Sequence, residues 1–111
     1  MATQTALFDA YRTLAYSSIT TSFVAVGTAF THMIRVVHII NNTDGDMIFS
    51  TDGSTSQLFV PAYSFALYDV STNKELSAPF FFPENTQFSV QYSSEPSKGA
   101  VYVQIIYGKG E

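Results

Sequence analysis

Cysteine and tryptophan are absent from this 111-residue chain, and charged residues make up only 13% of it. Without cysteine, disulfides, thiolate nucleophiles, zinc ribbons and iron–sulfur ligation are excluded, so stability has to come from packing and association. The chain has five Lys and Arg residues against nine acidic ones, a net charge of −4. Because no basic stripe is available to follow a phosphate backbone, we expect no direct binding of nucleic acid.

Long apolar runs are also missing. No stretch approaches the roughly 20 apolar residues that a membrane helix needs, and the N-terminus lacks the positive start and long apolar core of a secretory signal. We therefore expect a soluble, unprocessed chain that has no membrane partner. Its low charge leaves much neutral surface, which suits contacts with other proteins.

Aromatic residues are abundant, with ten Phe and seven Tyr in a chain that is 46% hydrophobic. Turn residues recur at intervals of roughly 8–12 residues, the spacing of an all-β sandwich or barrel. The sequence therefore predicts an all-β fold of about eight short antiparallel strands, in a jelly-roll-like sandwich or a barrel. The predicted strands are Ile19–Val26, Met33–Ile40, Met47–Ser50, Gln57–Val60, Phe65–Val70, Pro79–Phe82, Thr86–Tyr92 and Ala100–Tyr107.

The segment Arg35–Gly53 has the strongest local pattern, because Asp44-Gly45 separates two apolar runs. Asp-Gly favours two-residue hairpin turns with positive φ, so the pattern predicts a β-hairpin here. Alternation predicts that Phe88, Val90 and Tyr92 share one face of their strand. The last strand has apolar residues on both faces, and so has Arg35–Ile40, as expected of a central strand or one covered by another subunit.

Residues 1–18 differ in composition from residues 19–111 and are predicted to form an N-terminal arm on the β-domain. Leu7, Phe8, Tyr11 and Leu14 are spaced to suit one short amphipathic helix, although an extended arm is equally consistent with the pattern. Such a segment becomes ordered only against its own domain or against a neighbour, and the sequence leaves both open.

Candidate chemical groups are few. Asp44, Asp46 and Asp52 cluster around two turns, but they do not have EF-hand spacing, and aspartate is common in turns. His32 and His38 share a strand face if that strand begins early enough, yet no third metal ligand lies nearby in the segment. No nucleophile motif accompanies the many Ser and Thr residues. We expect no metal, no cofactor and no catalysis.

Five stretches carry a family resemblance: ITTSFVAVGTAF, RVVHIINNTDGDMIFSTDG, FVPAYSFALYDVSTNK, NTQFSVQY and GAVYVQIIYG. Together they resemble small β-sandwich virion proteins of tailed bacteriophages, and most closely the capsid decoration proteins, also called cement or staple proteins, of epsilon-fifteen-type short-tailed phages. The resemblance implies a jelly-roll-like domain, self-associated as a dimer or trimer, on the outer capsid surface. There it would bridge subunits of the major capsid protein.

Aromatic and apolar side chains are the expected contacts with such a partner, because aromatic anchors dominate interface energetics. In this chain they are the arm residues and the aromatic triplet between two prolines, where burial inside the domain is the competing interpretation. The predicted contact residues are Leu7, Phe8, Tyr11, Leu14, Phe80, Phe81 and Phe82.

Two other functions remain open. The first is a ring protein of the neck or tail, which is also part of the virion but is present in far fewer copies per particle. A carbohydrate-binding module would instead use exposed tyrosines as stacking platforms, whereas tyrosines buried between sheets would count against it. The candidate platforms are Tyr63, Tyr68, Tyr92 and Tyr102.

Overall fold

The computed structural model describes residues 5–69 and 85–109 of the chain. Within these ranges it contains nine strands and one single-turn 3₁₀ helix, Tyr16–Ser18. The predicted strand Pro79–Phe82, and with it Phe80, Phe81 and Phe82, lies outside the described residues. The strands are β1 (Thr5–Phe8), β2 (Arg12–Ala15), β3 (Val24–Ala25), β4 (Ile34–Thr43), β5 (Met47–Ser50), β6 (Leu58–Val60), β7 (Ser64–Asp69), β8 (Ser89–Tyr92) and β9 (Gly99–Lys109).

The strands pair as in a rolled-up antiparallel ribbon. β1 and β2 both pair with β9, and the inner strands follow in turn, β3 with β8, β4 with β7 and β5 with β6. Two sheets result, which we call sheet A (β1-β9-β4-β7, with β2 also on β9) and sheet B (β3-β8-β5-β6). The all-β prediction is confirmed, and the nested pairing is that of a double-sheet jelly roll. The sheets stay open, so the barrel alternative is wrong.

The N-terminal segment is extended rather than helical, and it lies along β9 of its own chain. Arg12 fastens it to the following loop. Its Nε donates to the Thr28 carbonyl at 2.9 Å, and its guanidinium lies 4.2 Å from the centroid of the Phe30 ring. A cation over a ring face adds attraction to the hydrogen bond, so the contact helps to hold the segment against its own domain.

The predicted hairpin at Asp44-Gly45 is wrong. β4 lies in sheet A and β5 in sheet B, so this turn carries the chain from one sheet to the other. The reason is a buried polar side chain. The Asn41 amide donates to the carbonyls of Gly45 and Val60, both at 2.9 Å, and so ties the turn to the neighbouring loop. β5 pairs instead with β6, across the turn at Thr51–Thr55.

The predicted strand Ile19–Val26 is also too long, because only Val24–Ala25 is regular. The Thr20 hydroxyl accepts the Ser22 N–H at 3.1 Å, a local bond that competes with sheet pairing. The remaining predicted strands within the described ranges recur, with ends shifted by up to three residues. β4 is central, between β9 and β7, as its two apolar faces suggested.

The core lies between the two sheets. Phe88 and Val90 point into it as predicted, and Tyr92 packs against it half-buried. One face of the last strand also lies in the core, and β4 and β5 supply most of the rest. The buried side chains of these three strands are Ile34, Val37, Ile39, Met47, Phe49, Val101, Val103 and Ile105. No helix of the described residues is long and apolar enough to cross a membrane.

Candidate functional site: the apolar face of sheet A

The outer surface of sheet A is built by alternation along its central strand. Val36, His38 and Ile40 of β4 point away from the core, because Val37 and Ile39 point into it. Each outward residue has a neighbour on both flanking strands. Ile40 lies beside Phe65 and Tyr102, His38 beside Leu67 and Gln104, and Val36 beside Asp69 and Ile106.

Two residues of the N-terminal segment extend this surface beyond β9. Phe8 is in register with Ile106, and the Tyr11 ring meets the Tyr102 ring edge-on with centroids 5.8 Å apart. We call the combined surface the apolar face. It consists of Phe8, Tyr11, Val36, His38, Ile40, Phe65, Leu67, Tyr102, Gln104 and Ile106.

Several large side chains of the apolar face are mostly accessible to solvent. The exposed fractions are 79% for Phe8, 65% for Phe65, 59% for Leu67 and 58% for Tyr11. Scattered apolar residues on a surface need no explanation, but a contiguous patch of this kind marks a site of interaction with another surface. The apolar face is therefore the candidate functional site.

Two shallow hollows flank His38 at the centre of the face. One, of about 310 Å³, is lined in part by Ile40, Tyr63 and Phe65, and the other, of about 110 Å³, by Phe8, Val36 and Ile106. His38 and Leu67 line both. The His38 ring packs edge-on against Phe65, with centroids 5.2 Å apart. The face therefore has projecting rings and recesses side by side.

Charge is scarce on the apolar face. The outward positions from Val36 to Asn42 of β4, along β7 and from Ala100 to Ile106 of β9 include one charged residue, Asp69 at the end of β7. Burying such a surface costs little desolvation of ions, whereas a buried unpaired charge is expensive. The arrangement suits a dry protein contact.

Sheet B has a different outer surface. In the register of β5 with β8 and β6, the outward Ile48 lies between Gln91 and Phe59, and the next pair on this side, Ser50 opposite Ser89, is polar and buried. Phe59 on β6 is its large exposed aromatic residue, at 55%. The apolar content of sheet A is thus a property of that face and not of both sides of the sandwich.

The predicted contact residues divide between the two sides of sheet A. Phe8 and Tyr11 belong to the apolar face. Leu14 is half-buried against the core, and Leu7 lies half-buried opposite Tyr107, which also packs there. Phe80, Phe81 and Phe82 are outside the described residues. Phe65 and Leu67 were missed as contacts, although their alternation in the predicted strand Phe65–Val70 was a usable signal.

The clustered aspartates serve the turns. Asp44 accepts hydrogen bonds from the hydroxyl and the backbone N–H of Ser97, which lower its pKa. The pKa of Asp52 is also lowered, mainly by the Ser54 N–H at 2.9 Å, then by the Ser50 hydroxyl and the Thr55 N–H. These hydrogen bonds are of the kind that makes aspartate common in turns, which is the interpretation that competes with a calcium site. Among the described residues no three acidic, His or Cys side chains gather as a metal site would require.

The histidines do not share a face. β4 begins at Ile34, after His32, and a bulge interrupts its pairing with β9 between Ile34 and Val36. The His32 ring stacks on Tyr107 at 3.7 Å between centroids, whereas His38 lies on the apolar face. Each histidine therefore has its own aromatic partner on a different part of the sheet.

A cavity of about 360 Å³ lies between the sheets. Val37, Ile39, Phe49 and Leu58 line it together with Tyr68, one of the tyrosines considered as a carbohydrate platform. The lining is mainly aliphatic and aromatic, so it offers shape but few polar groups to orient a ligand.

Comparison with known proteins returned no family. A scan against protein-family models found no match, and a search of curated proteins found no similar sequence.

Proposed function

We propose that this chain is a structural protein of a tailed-phage virion, a decoration protein that binds the major capsid protein on the outer shell. The sequence resemblance supports the class, and the strand order agrees with the jelly-roll-like domain that the resemblance implies. The observation that carries an assembly role is the exposed apolar face of sheet A. In this proposal the protein is no enzyme, and its work is to hold other subunits together.

Binding energy explains how such a protein stabilises a shell. A clip that binds the assembled lattice and not the dissociated subunits shifts the equilibrium toward the assembled form by mass action. Because it bridges neighbouring capsid subunits, it resists the outward pressure of packaged DNA. An acidic protein also avoids attraction to that DNA, which favours the outer surface.

Copy number in the virion tests this proposal. We expect hundreds of copies per particle when the chain is quantified by mass spectrometry against the major capsid protein. About six or twelve copies would move the protein to a neck or tail ring. Absence from purified particles would overturn both virion functions.

Reconstitution tests the stabilising role. Shells that lack the protein should release their DNA at a lower temperature, and purified full-length chain added back should restore the higher one. The major capsid protein alone, in unassembled form, is the matched control, since a lattice-specific clip binds it weakly. Equal binding to free subunits and to shells would contradict the proposed mechanism.

Carbohydrate binding is the second candidate, favoured by Tyr63. This tyrosine is 58% exposed and lines the larger hollow together with Asn42 and Ser64, the polar neighbours that a sugar would need. Tyr92 is half-buried on the core side and is a poor platform. Glycan-array binding that Tyr63→Ala abolishes and Tyr92→Phe leaves intact would support this alternative.

A further inference from the structure

We propose that the apolar face binds a second copy of this chain, so that two sheets A pack face to face in a symmetric dimer. The inference goes beyond the proposed function: the resemblance implies a dimer or a trimer, and the inference chooses the dimer and names its surface. It does not rest on capsid binding. Three properties of the face support the proposal: its exposed area, its scarcity of charge and its surface shape.

The exposed area is close to what a stable dimer requires. Phe8, Phe65, Leu67 and Tyr11 are 58–79% exposed. At roughly 200 Å² for a whole aromatic side chain, the three rings contribute about 400 Å², and Leu67 adds to that. Tyr63 and the half-buried side chains around His38 add to this sum. A standard interface buries about 800 Å² per partner, and a typical monomer leaves no apolar patch larger than about 600 Å².

The distribution of charge suits a contact between identical copies. In a two-fold interface the same patch lies on both sides, so any central charge meets its own kind. Each copy of this chain carries a net charge of −4, yet the outward positions from Val36 to Asn42 of β4, along β7 and from Ala100 to Ile106 of β9 include a single charge, Asp69 at the margin. Arg35 lies just beyond these positions, half-buried at the bulge of β4. Repulsion between two copies is therefore small across this apolar surface.

The surface shape of the face is complementary to that of a second, identical copy. Phe65 and Leu67 project on one side of β4, Phe8 projects on the other, and the two hollows beside His38 lie between them. A symmetric contact needs knobs and recesses on one and the same patch, because each copy has to supply both. Sheets that stack in this way lie about 10 Å apart, with interdigitating side chains.

Sedimentation of the purified full-length chain tests the dimer, with two substitutions as a matched pair. Leu67→Lys places a charge on the apolar face, and Phe59→Lys places one on the outer surface of sheet B. Both positions lie on edge strands and are similarly exposed, at 59% and 55%. We expect a dimer at about 50 µM, a Kd raised about 100-fold by Leu67→Lys, and little change with Phe59→Lys.

Folding is checked by circular dichroism for each variant. If Leu67→Lys proves unfolded, Phe8→Ser replaces it, since this exposed ring makes up part of the same face, and the same loss of dimer is expected. A monomeric wild-type chain, or equal effects of Leu67→Lys and Phe59→Lys, would overturn the inference.

The virion measurement separates this inference from the proposed function. A dimer that is disrupted by Leu67→Lys, in a protein absent from particles, would leave the inference standing and remove the capsid role. Hundreds of copies per particle of a protein that is monomeric in solution would support the capsid role and overturn the inference.

Discussion

Two Asp-Gly turns lie eight positions apart and have different structures. Asp44-Gly45 crosses from sheet A to sheet B, whereas Asp52-Gly53 joins β5 to β6 within sheet B. Of the two glycines only Gly53 has a positive φ, of 77°, and a Cβ added there would meet nothing within 4 Å. A Cβ added to Gly45 would clash with the Ser94 carbonyl and crowd the Pro96 nitrogen. One turn needs glycine for its conformation and the other for its small size.

A buried polar side chain anchors each turn. Asn41, fully buried, joins its own strand to two other chain segments, through hydrogen bonds to the carbonyl of Gly45 and to those of Val60 and Pro61. Ser50, also buried, acts only locally, because its hydroxyl bonds to the backbone and side chain of the turn that follows it. The first turn is therefore set by tertiary contacts and the second by its own sequence.

The largest expected effect is the loss of the Asn41 anchor. Asn41→Ala leaves buried carbonyls without their donor and removes the acceptor of the Thr43 N–H and hydroxyl. We expect the free energy of unfolding to fall by about 3 kcal/mol or more in urea titrations. Asn42→Ala, at the exposed neighbouring position, is the matched control and should cost little. Similar losses in both variants would contradict the role of Asn41.

Gly45→Ala is expected to come second. The added methyl group meets backbone atoms of Ser94 and Pro96, which cannot rotate away as a side chain would. Crowding of this kind costs about 2 kcal/mol. The matched change at the other turn, Gly53→Ala, should be milder, so the order of the two midpoints of urea unfolding tests the comparison. An equal or larger loss at Gly53 would reverse it.

The same contrast separates what sequence predicts from what it misses. Alternation identified most of the strands from Ile19 onwards and placed Phe88, Val90 and Tyr92 on one face of their strand, because the period of a pleated strand is a local property. The hairpin at Asp44-Gly45 failed because Asn41 bonds to carbonyls up to 20 residues away, which no local pattern encodes. The turn after Ser50 involves only neighbouring residues and fell within the predicted turn.

The apolar face was partly visible in the sequence for the same reason. Apolar residues on both faces of Arg35–Ile40 indicated a central or covered strand, which β4 proves to be. The meeting of Phe8 with Ile106, and of Phe65 with Ile40, depends on the register between distant strands. The apolar residues of this face are visible in the sequence, but only the order and register of the strands bring them together.

Conformational strain at Gly53 predicts a smaller and chemically specific effect. Ala at a φ of 77° occupies the left-handed region, at a cost of about 1 kcal/mol. Asn tolerates that region better than other residues, so Gly53→Asn should recover part of the loss in thermal unfolding. At Gly45 the order should invert, because Asn is larger than Ala and the site lacks room. If stability in thermal unfolding instead fell steadily with side-chain size at position 53, from Gly to Ala to Asn, the conformational role of Gly53 would be contradicted.

The smallest expected effect concerns the two aspartates and pH. Hydrogen bonds in the folded state lower the pKa values of Asp44 and Asp52 below the ordinary value of 3.8. A carboxyl with a lowered folded-state pKa stabilises the fold above its unfolded-state pKa, and that contribution disappears as the pH falls through the folded value. Between about pH 5 and about pH 2 the midpoint of urea unfolding should therefore decrease. Asp52→Asn should flatten this decrease more than Asp44→Asn, because the pKa of Asp52 is lowered further. Glu95→Gln, a carboxyl-to-amide change at an exposed position, is the control, and an equal slope in all three variants would place the pH dependence outside these turns.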